Sequence, residues 1–139
     1  GVLDKLEFVD NSRRRVRVVD YKTGKPKSEK VVRGETKDSD GGYYRQIVFY
    51  KLLLQLYEDG KFVMDEGALE FVEADDKGKF TKHIFSPKDE EVENLKQEIL
   101  RVSDEILNLK FWDSECDPKA MGEGNEKYCQ LVEEIKKRG

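Results

Sequence analysis

Asp4, Asp20 and Lys22 are the residues whose types and spacing could do chemistry in this chain. Hard divalent cations take oxygen ligands, and Mg²⁺ is commonly held by one or two carboxylates plus water and substrate phosphate. Two aspartates brought together would make such a site, weak alone and completed by its substrate. An ammonium two residues beyond the second aspartate adds what phosphate-ester hydrolysis uses. The metal activates a water, and the cation orients it or offsets charge growing in the transition state. An Asp-x-Lys triplet by itself is more often a surface ion pair. Gln46 and Tyr50 form a second pair, whose spacing puts both side chains on one face of a helix. Without further context that pair reads as a core tyrosine with a glutamine at its edge.

The elements that would position these residues can be read from the apolar pattern. Val2, Leu3, Leu6, Phe8 and Val9 form one strand pattern, and Val16, Val18 and Val19 another, with the turn chemistry of Asp10-Asn-Ser between them. A β-hairpin follows, and in the right register it brings Asp4 beside Asp20. The strand period of two then projects Asp20 and Lys22 to the same face. From Lys22 to Gly42 the chain is polar and without period, and is expected to be a long loop. Tyr43–Glu58 reads as a helix, apolar over much of its circumference and stopped at Asp59-Gly60, so it should pack on more than one side.

A second hairpin is expected from Ala68–Ala74 and Phe80–Phe85, joined across Asp75-Asp-Lys-Gly78. Ser86-Pro87 followed by Glu90 signals a helix start, and Val92, Leu95, Ile99, Val102, Ile106 and Leu109 carry a long amphipathic helix to near Lys110. Phe111–Gly124 is irregular, and Lys127–Lys137 suits a short charged helix. The order strand, strand, helix, strand, strand, helix implies an α+β (mixed α/β) fold, a small sheet of about four strands flanked by helices.

Composition bounds the function. The 139 residues, 37% of them hydrophobic, suffice for one core, so a single domain over 1–139 is expected. Charged residues reach 40%, yet the apolar ones cluster periodically, which argues against a disordered chain. No run of apolar residues is long enough for a membrane span, and no secretory leader is visible. Cys116 and Cys129, with twelve residues between them, point to neither a disulfide framework nor a zinc site, and a reducing, cytoplasmic setting is the simpler reading. The net charge of −4 speaks against an anionic partner, but residues 11–30 hold eight basic side chains against two acidic ones. Because Gly1 opens directly onto a strand pattern without a Met, the chain is expected to be a fragment of a longer protein.

Three motifs together resemble a known family. Gly1-Val-Leu-Asp4-Lys5-Leu6 resembles the Gly-x-x-Asp-Arg-hydrophobic motif of RecB-like nucleases of the PD-(D/E)XK superfamily. Val18-Val-Asp20-Tyr-Lys22-Thr-Gly24 resembles their Asp-Tyr-Lys-Thr-Gly motif, and Gln46-Ile-Val-Phe-Tyr50 their Gln-x-x-x-Tyr motif. The resemblance implies a restriction-endonuclease-like core and a Mg²⁺- or Mn²⁺-dependent DNA nuclease. It makes Asp4, Asp20 and the carbonyl of Tyr21 metal ligands and Lys22 the catalytic lysine, with Gln46 and Tyr50 on the helix bordering the site. Such a module is similar to the C-terminal part of UvrD/Rep-type helicases and AddAB-like helicase-nucleases, so helicase domains and unwound or single-stranded DNA are the implied partners. Members of this kind carry a further ligand on a preceding helical segment, which implies weak activity for these residues alone. Two departures stand out. Lys5 replaces the usual Arg, losing the guanidinium fork, and two cysteines where the family often has more disfavour an iron-sulfur cluster. The alternative is a non-catalytic DNA-binding or subunit-interaction module that keeps the nuclease fold. His83 reads as a solvent-facing strand residue, Trp112 as a plug at the end of the long helix, and Asp89, Glu90, Glu91 and Glu93 as acids favoured by the helix N-terminus.

Overall fold

The computed structural model describes residues 3–10, 12, 14–108, 129, 130, 133, 134 and 137. Residues 1–97 form one compact unit and residues 98–139 a second. In order the described elements are β1 (Lys5–Phe8), β2 (Arg15–Lys22), α1 (Glu29–Arg33), α2 (Gly42–Leu56), a 3-10 turn (Tyr57–Asp59), β3 (Val63–Phe71), β4 (Thr81–Phe85) and α3 (Asp89–Leu107). The four strands make one mixed sheet in the order β1-β2-β3-β4. Its outer pairs are antiparallel hairpins and its central pair is parallel. That is the expected α+β architecture, with the crossover between the parallel strands supplied by α1 and α2.

Strand alternation sorts the sheet into two faces. Val16, Val18, Asp20 and Lys22 of β2 share one, together with their partners Met64, Gly67, Leu69 and Phe71 of β3. This face meets α2 through a core of Val16, Val18, Ile47, Tyr50, Leu54, Leu69, Phe71 and Phe85. The phase of β3 changes along its length. A bulge at Asp65 lets Arg17 pair with Glu66 after Val16 has paired with Met64, so residues on both sides of the bulge reach the α2 face. Charged pairs cross the other face. Lys5 meets Glu7, Arg17 meets Glu7 and Glu66, and Glu70 meets Lys82. These partly exposed ion pairs contribute little to stability.

Close packing of α2 on the sheet depends on Gly67. A Cβ there would lie 2.3 Å from Ile47 Cγ2 and 2.9 Å from Met64 Cε. The opposite side of α2 buries Val48 and Leu52 against Val92 and Leu95 of α3, so the helix is covered on two sides, as its wide apolar surface predicts. Ile99, Val102 and Ile106 continue the α3 stripe but are exposed.

Sequence and structure differ at several element boundaries; β3 opens at Val63, five residues before the strand expected from Ala68, and ends at Phe71. The long loop expected over 22–42 contains α1, opened by Ser28, whose side chain accepts from Val31 N–H, and closed by the left-handed Gly34. Helix α3 begins at Asp89, not at Ser86-Pro87. Lys88 supplies the cap, its N–H donating to Glu91 Oε2 at 2.7 Å, while the Pro87 carbonyl is taken by Lys51 Nζ at 2.6 Å. Asp4 lies one residue before β1 and not within it. In the C-terminal segment the described residues Cys129, Gln130, Glu133, Glu134 and Lys137 are helical, and the irregular stretch expected over 111–124, with Trp112, lies outside the described residues. Cys129 is buried and disulfide-bonded, unlike the reduced setting expected from cysteine spacing, since distance in sequence does not decide whether two sulfurs meet. Among the described residues no helix is long and apolar enough to cross a membrane.

Candidate active site

Asp20 and Lys22 close the C-terminal end of β2, where the parallel pair opens and ligands of mixed sheets are commonly bound. Pairing of Lys5 with Val19 carries Asp4 into register with Asp20 one step beyond the end of β1. Asp4 holds that position by accepting from the Tyr21 N–H at Oδ2, 2.9 Å. Odd residues of β2 direct their main-chain groups toward β1 and even ones toward β3: Arg15 O accepts from Val9 N–H, and Lys22 O from Val72 N–H. The same alternation turns the Tyr21 carbonyl to the β1 side, toward Asp4.

Gln46 and Tyr50 face the sheet from successive turns of α2 and complete a ring of contacts. Lys22 Nζ donates to Gln46 Oε1 at 2.5 Å, Gln46 Nε2 donates to Tyr50 Oη at 2.6 Å, and Tyr50 Oη donates to Asp20 Oδ1 at 2.7 Å. Asp20 Oδ2, 2.7 Å from Lys22 Nζ, closes the circuit as an ion pair. Each donor in the ring has one acceptor, which fixes the orientation of the Gln46 amide. The side chains are 15% exposed for Lys22 and 5% for Asp20, so this pair is much less screened than a surface one. Burial, and then the hydrogen bond to Asp20, raise the Tyr50 phenol above its ordinary pKa, and the Asp4 charge adds to the effect. Tyr50 is therefore a neutral donor at physiological pH.

One atom in the ring is left short. Asp20 Oδ2 is buried and accepts no hydrogen bond, the Lys22 ammonium being within ion-pair distance but outside hydrogen-bond geometry. A buried carboxylate oxygen in this state has a coordination position to give, and a hard cation would take it. Among the described residues no group of three or more His, Cys, Asp or Glu side chains could hold a metal. The oxygen donors gathered here are two carboxylates and a main-chain carbonyl, which fit an ion that keeps waters and takes substrate oxygens.

A profile for the PD-(D/E)XK nuclease superfamily matches residues 1–131. The chain belongs to this superfamily. Its four-stranded mixed sheet with flanking helices agrees with the superfamily's restriction-endonuclease-like fold. Comparison with curated proteins and with solved structures gives no match.

All five side chains singled out in the sequence of this superfamily member, Asp4, Asp20, Lys22, Gln46 and Tyr50, converge at one end of the β1-β2 pair. Three neighbours were not foreseen. The Tyr43 ring lies 4.9 Å from Lys22 Nζ. Glu73 Oε1 accepts from the Gly24 N–H at 2.7 Å and so ties the end of the Asp-Tyr-Lys-Thr-Gly motif to the residues after β3. His83 is half-buried on the α2 face of β4, not solvent-facing, with Nε2 2.8 Å from the Lys27 carbonyl. Its pairing with Leu69 would have revealed the face, had the strand order been known. The tyrosine's place next to Gly41-Gly42 gave no comparable signal.

Proposed function

We propose that this chain is the catalytic module of a divalent-metal-dependent deoxyribonuclease of the RecB-like branch, working with helicase domains in DNA repair or recombination. The observation that carries the reading is the Lys22–Gln46–Tyr50–Asp20 ring, which holds one buried carboxylate oxygen that accepts no hydrogen bond, in register with Asp4. The assignment to the RecB-like branch, and with it the helicase partnership and the DNA substrate, is supported by the three motifs containing Asp4, Asp20–Lys22 and Gln46–Tyr50.

Asp4, Asp20 and the Tyr21 carbonyl would hold Mg²⁺ or Mn²⁺, which when bound supplies Lewis-acid stabilisation and an acidified water. Lys22 stands next to that oxygen cluster with its ammonium steadied by Asp20 and Gln46. From there it can orient the attacking water or offset charge on the phosphate as the ester bond breaks. Tyr50 works through Asp20, holding Oδ1 and so fixing the orientation in which Oδ2 would be offered to the ion. Gln46 works through Lys22 and is itself held by Tyr50.

Asp20→Asn and Lys22→Ala in the full-length protein test this directly. Cleavage of single-stranded DNA with Mn²⁺ falls by roughly 10²–10³-fold or more in each, with the circular dichroism of the native fold retained. Wild-type rates in both variants would rule the mechanism out.

A further inference from the structure

We infer that Lys27, seated against the ring of Tyr43, holds the DNA strand at a phosphate next to the one attacked; this rests on the nuclease reading of the neighbouring site. Residues 11–30 carry a local excess of positive charge in sequence, yet the fold neutralises much of it. Arg15 pairs with Asp65, Arg17 with Glu66, Lys22 with Asp20, and Lys25 with Asp76. Lys27 differs. Among the described residues no carboxylate lies within ion-pair distance of its ammonium, whose described contact is the Tyr43 ring at 4.9 Å. Asp40 is held below its ordinary pKa by main-chain hydrogen bonds from Gly42 and Asp40 itself and then by the charges of Arg45 and, last, Lys27, but it forms no ion pair with Lys27.

Tyr43 is shared between two lysines. Lys22 Nζ lies at the same 4.9 Å from the ring, so the two ammonium groups are no more than twice that distance apart. One is committed to the reaction site and the other faces an open cleft whose lining includes Tyr43, Gly42 and the carboxylates Asp38 and Asp40, so a strand entering there meets Lys27 as the cleft's cation. Phosphates of one strand recur at roughly 3.4 Å of axial rise, so two neighbouring phosphates can engage both cations at once. Two ammonium groups packed against one ring repel each other until an anion joins them, and a nucleic-acid backbone supplies a row of anions. The position of Lys27 is also built and not accidental, because its carbonyl is fixed by His83 Nε2 at 2.8 Å. Since that anchor is main chain, the side chain can be changed without loosening the loop.

The test compares wild type with Lys27→Ala and Lys27→Glu in the full-length protein, using a fluorescent single-stranded oligonucleotide in two unrelated sequences. Without divalent metal, the Lys27→Ala slope of log binding constant against log salt becomes shallower by about 0.7, the share of one phosphate contact on a single strand. Binding weakens similarly for both sequences, and more in Lys27→Glu. In Mn²⁺ the alanine variant raises KM with a much smaller change in kcat. Unchanged salt slope and affinity overturn the inference, as does a fall in kcat at constant KM, which would mean that Lys27 acts through Lys22. If wild type binds the oligonucleotide with the expected slopes but does not cleave it, the nuclease reading fails and the strand contact stands. If wild type cleaves and the variants are indistinguishable from it, only the strand contact fails.

Discussion

Replacing Tyr50 by Phe removes one oxygen from a side chain that is 6% exposed and leaves the ring volume in place. Two hydrogen bonds go with it, the donation to Asp20 Oδ1 at 2.7 Å and the acceptance from Gln46 Nε2 at 2.6 Å. The first matters more. Asp20 is 3% exposed and Oδ2 already lacks a hydrogen-bond donor, so both oxygens of a buried carboxylate would be left to a single ion pair with Lys22. A hydrogen bond to a charged group is worth about 1.5–3 kcal/mol, and abandoning a buried acceptor brings the loss to the upper part of that range. Urea denaturation at neutral pH without divalent ions measures it. With a slope of about 1–3 kcal/mol per molar urea, the midpoint falls by roughly 1–3 M. The same substitution in an Asp20→Asn background costs at least about 1 kcal/mol less, because the acceptor no longer carries charge. A loss under about 0.5 kcal/mol in the wild-type background, or an equal loss in both backgrounds, would refute the claim that Tyr50 supports the Asp20 charge.

Two further substitutions probe the frame around the site. Gly67→Ala forces a Cβ to within 2.3 Å of Ile47 Cγ2 and destabilises the fold by about 1–3 kcal/mol in a urea melt; Ile47→Ala in the same chain recovers part of the loss, whereas additive costs would contradict the clash. Glu91 is held below its ordinary pKa: burial opposes ionisation, but the Lys88 N–H, the Tyr44 hydroxyl and the nearby Arg33 outweigh it. A depressed carboxylate stabilises the fold above its unfolded pKa and loses that contribution as pH falls through the folded value. Glu91→Gln is therefore less stable than wild type at neutral pH, and the gap narrows as pH drops below about 4.3; a constant gap in denaturation midpoints from pH 7 to 3 would show that the charge is irrelevant.

Much of the site was legible because alternation and helical spacing are local properties. Asp20 and Lys22 two apart on a strand, and Gln46 and Tyr50 four apart on a helix, had to share faces whatever the tertiary fold. The hairpin that aligns Asp4 with Asp20 was also local, set by the turn between β1 and β2. What could not be read was the meeting of strand and helix. The ring exists because β2 pairs in parallel with β3 and α2 crosses over Gly67, both long-range choices. The short helix α1 carried its signals in Ser28 and Gly34, but five residues are too few for a period to emerge. The start of α3 was misplaced for a related reason. Ser86-Pro87 has the composition of a cap, but Lys51 and Glu91, distant in sequence or further into the helix, decide where the helix begins.

The bulge at Asp65 has a reach beyond its own position. Met64 before it and Gly67, Leu69 and Phe71 after it all face α2, although even and odd positions of an unbroken strand point oppositely. The extra residue is a phase shifter. With Asp65 held in regular alternation instead, Met64 facing α2 would turn Ala68 and Glu70 inward, expel Leu69 from beside Asp20, and take from Ile47 the flat seat that Gly67 provides. The geometry around the Asp20 carboxylate is thus timed by a backbone event at the far end of β3. There a residue counts for more by the way its backbone leaves the ladder than by the side chain it bears.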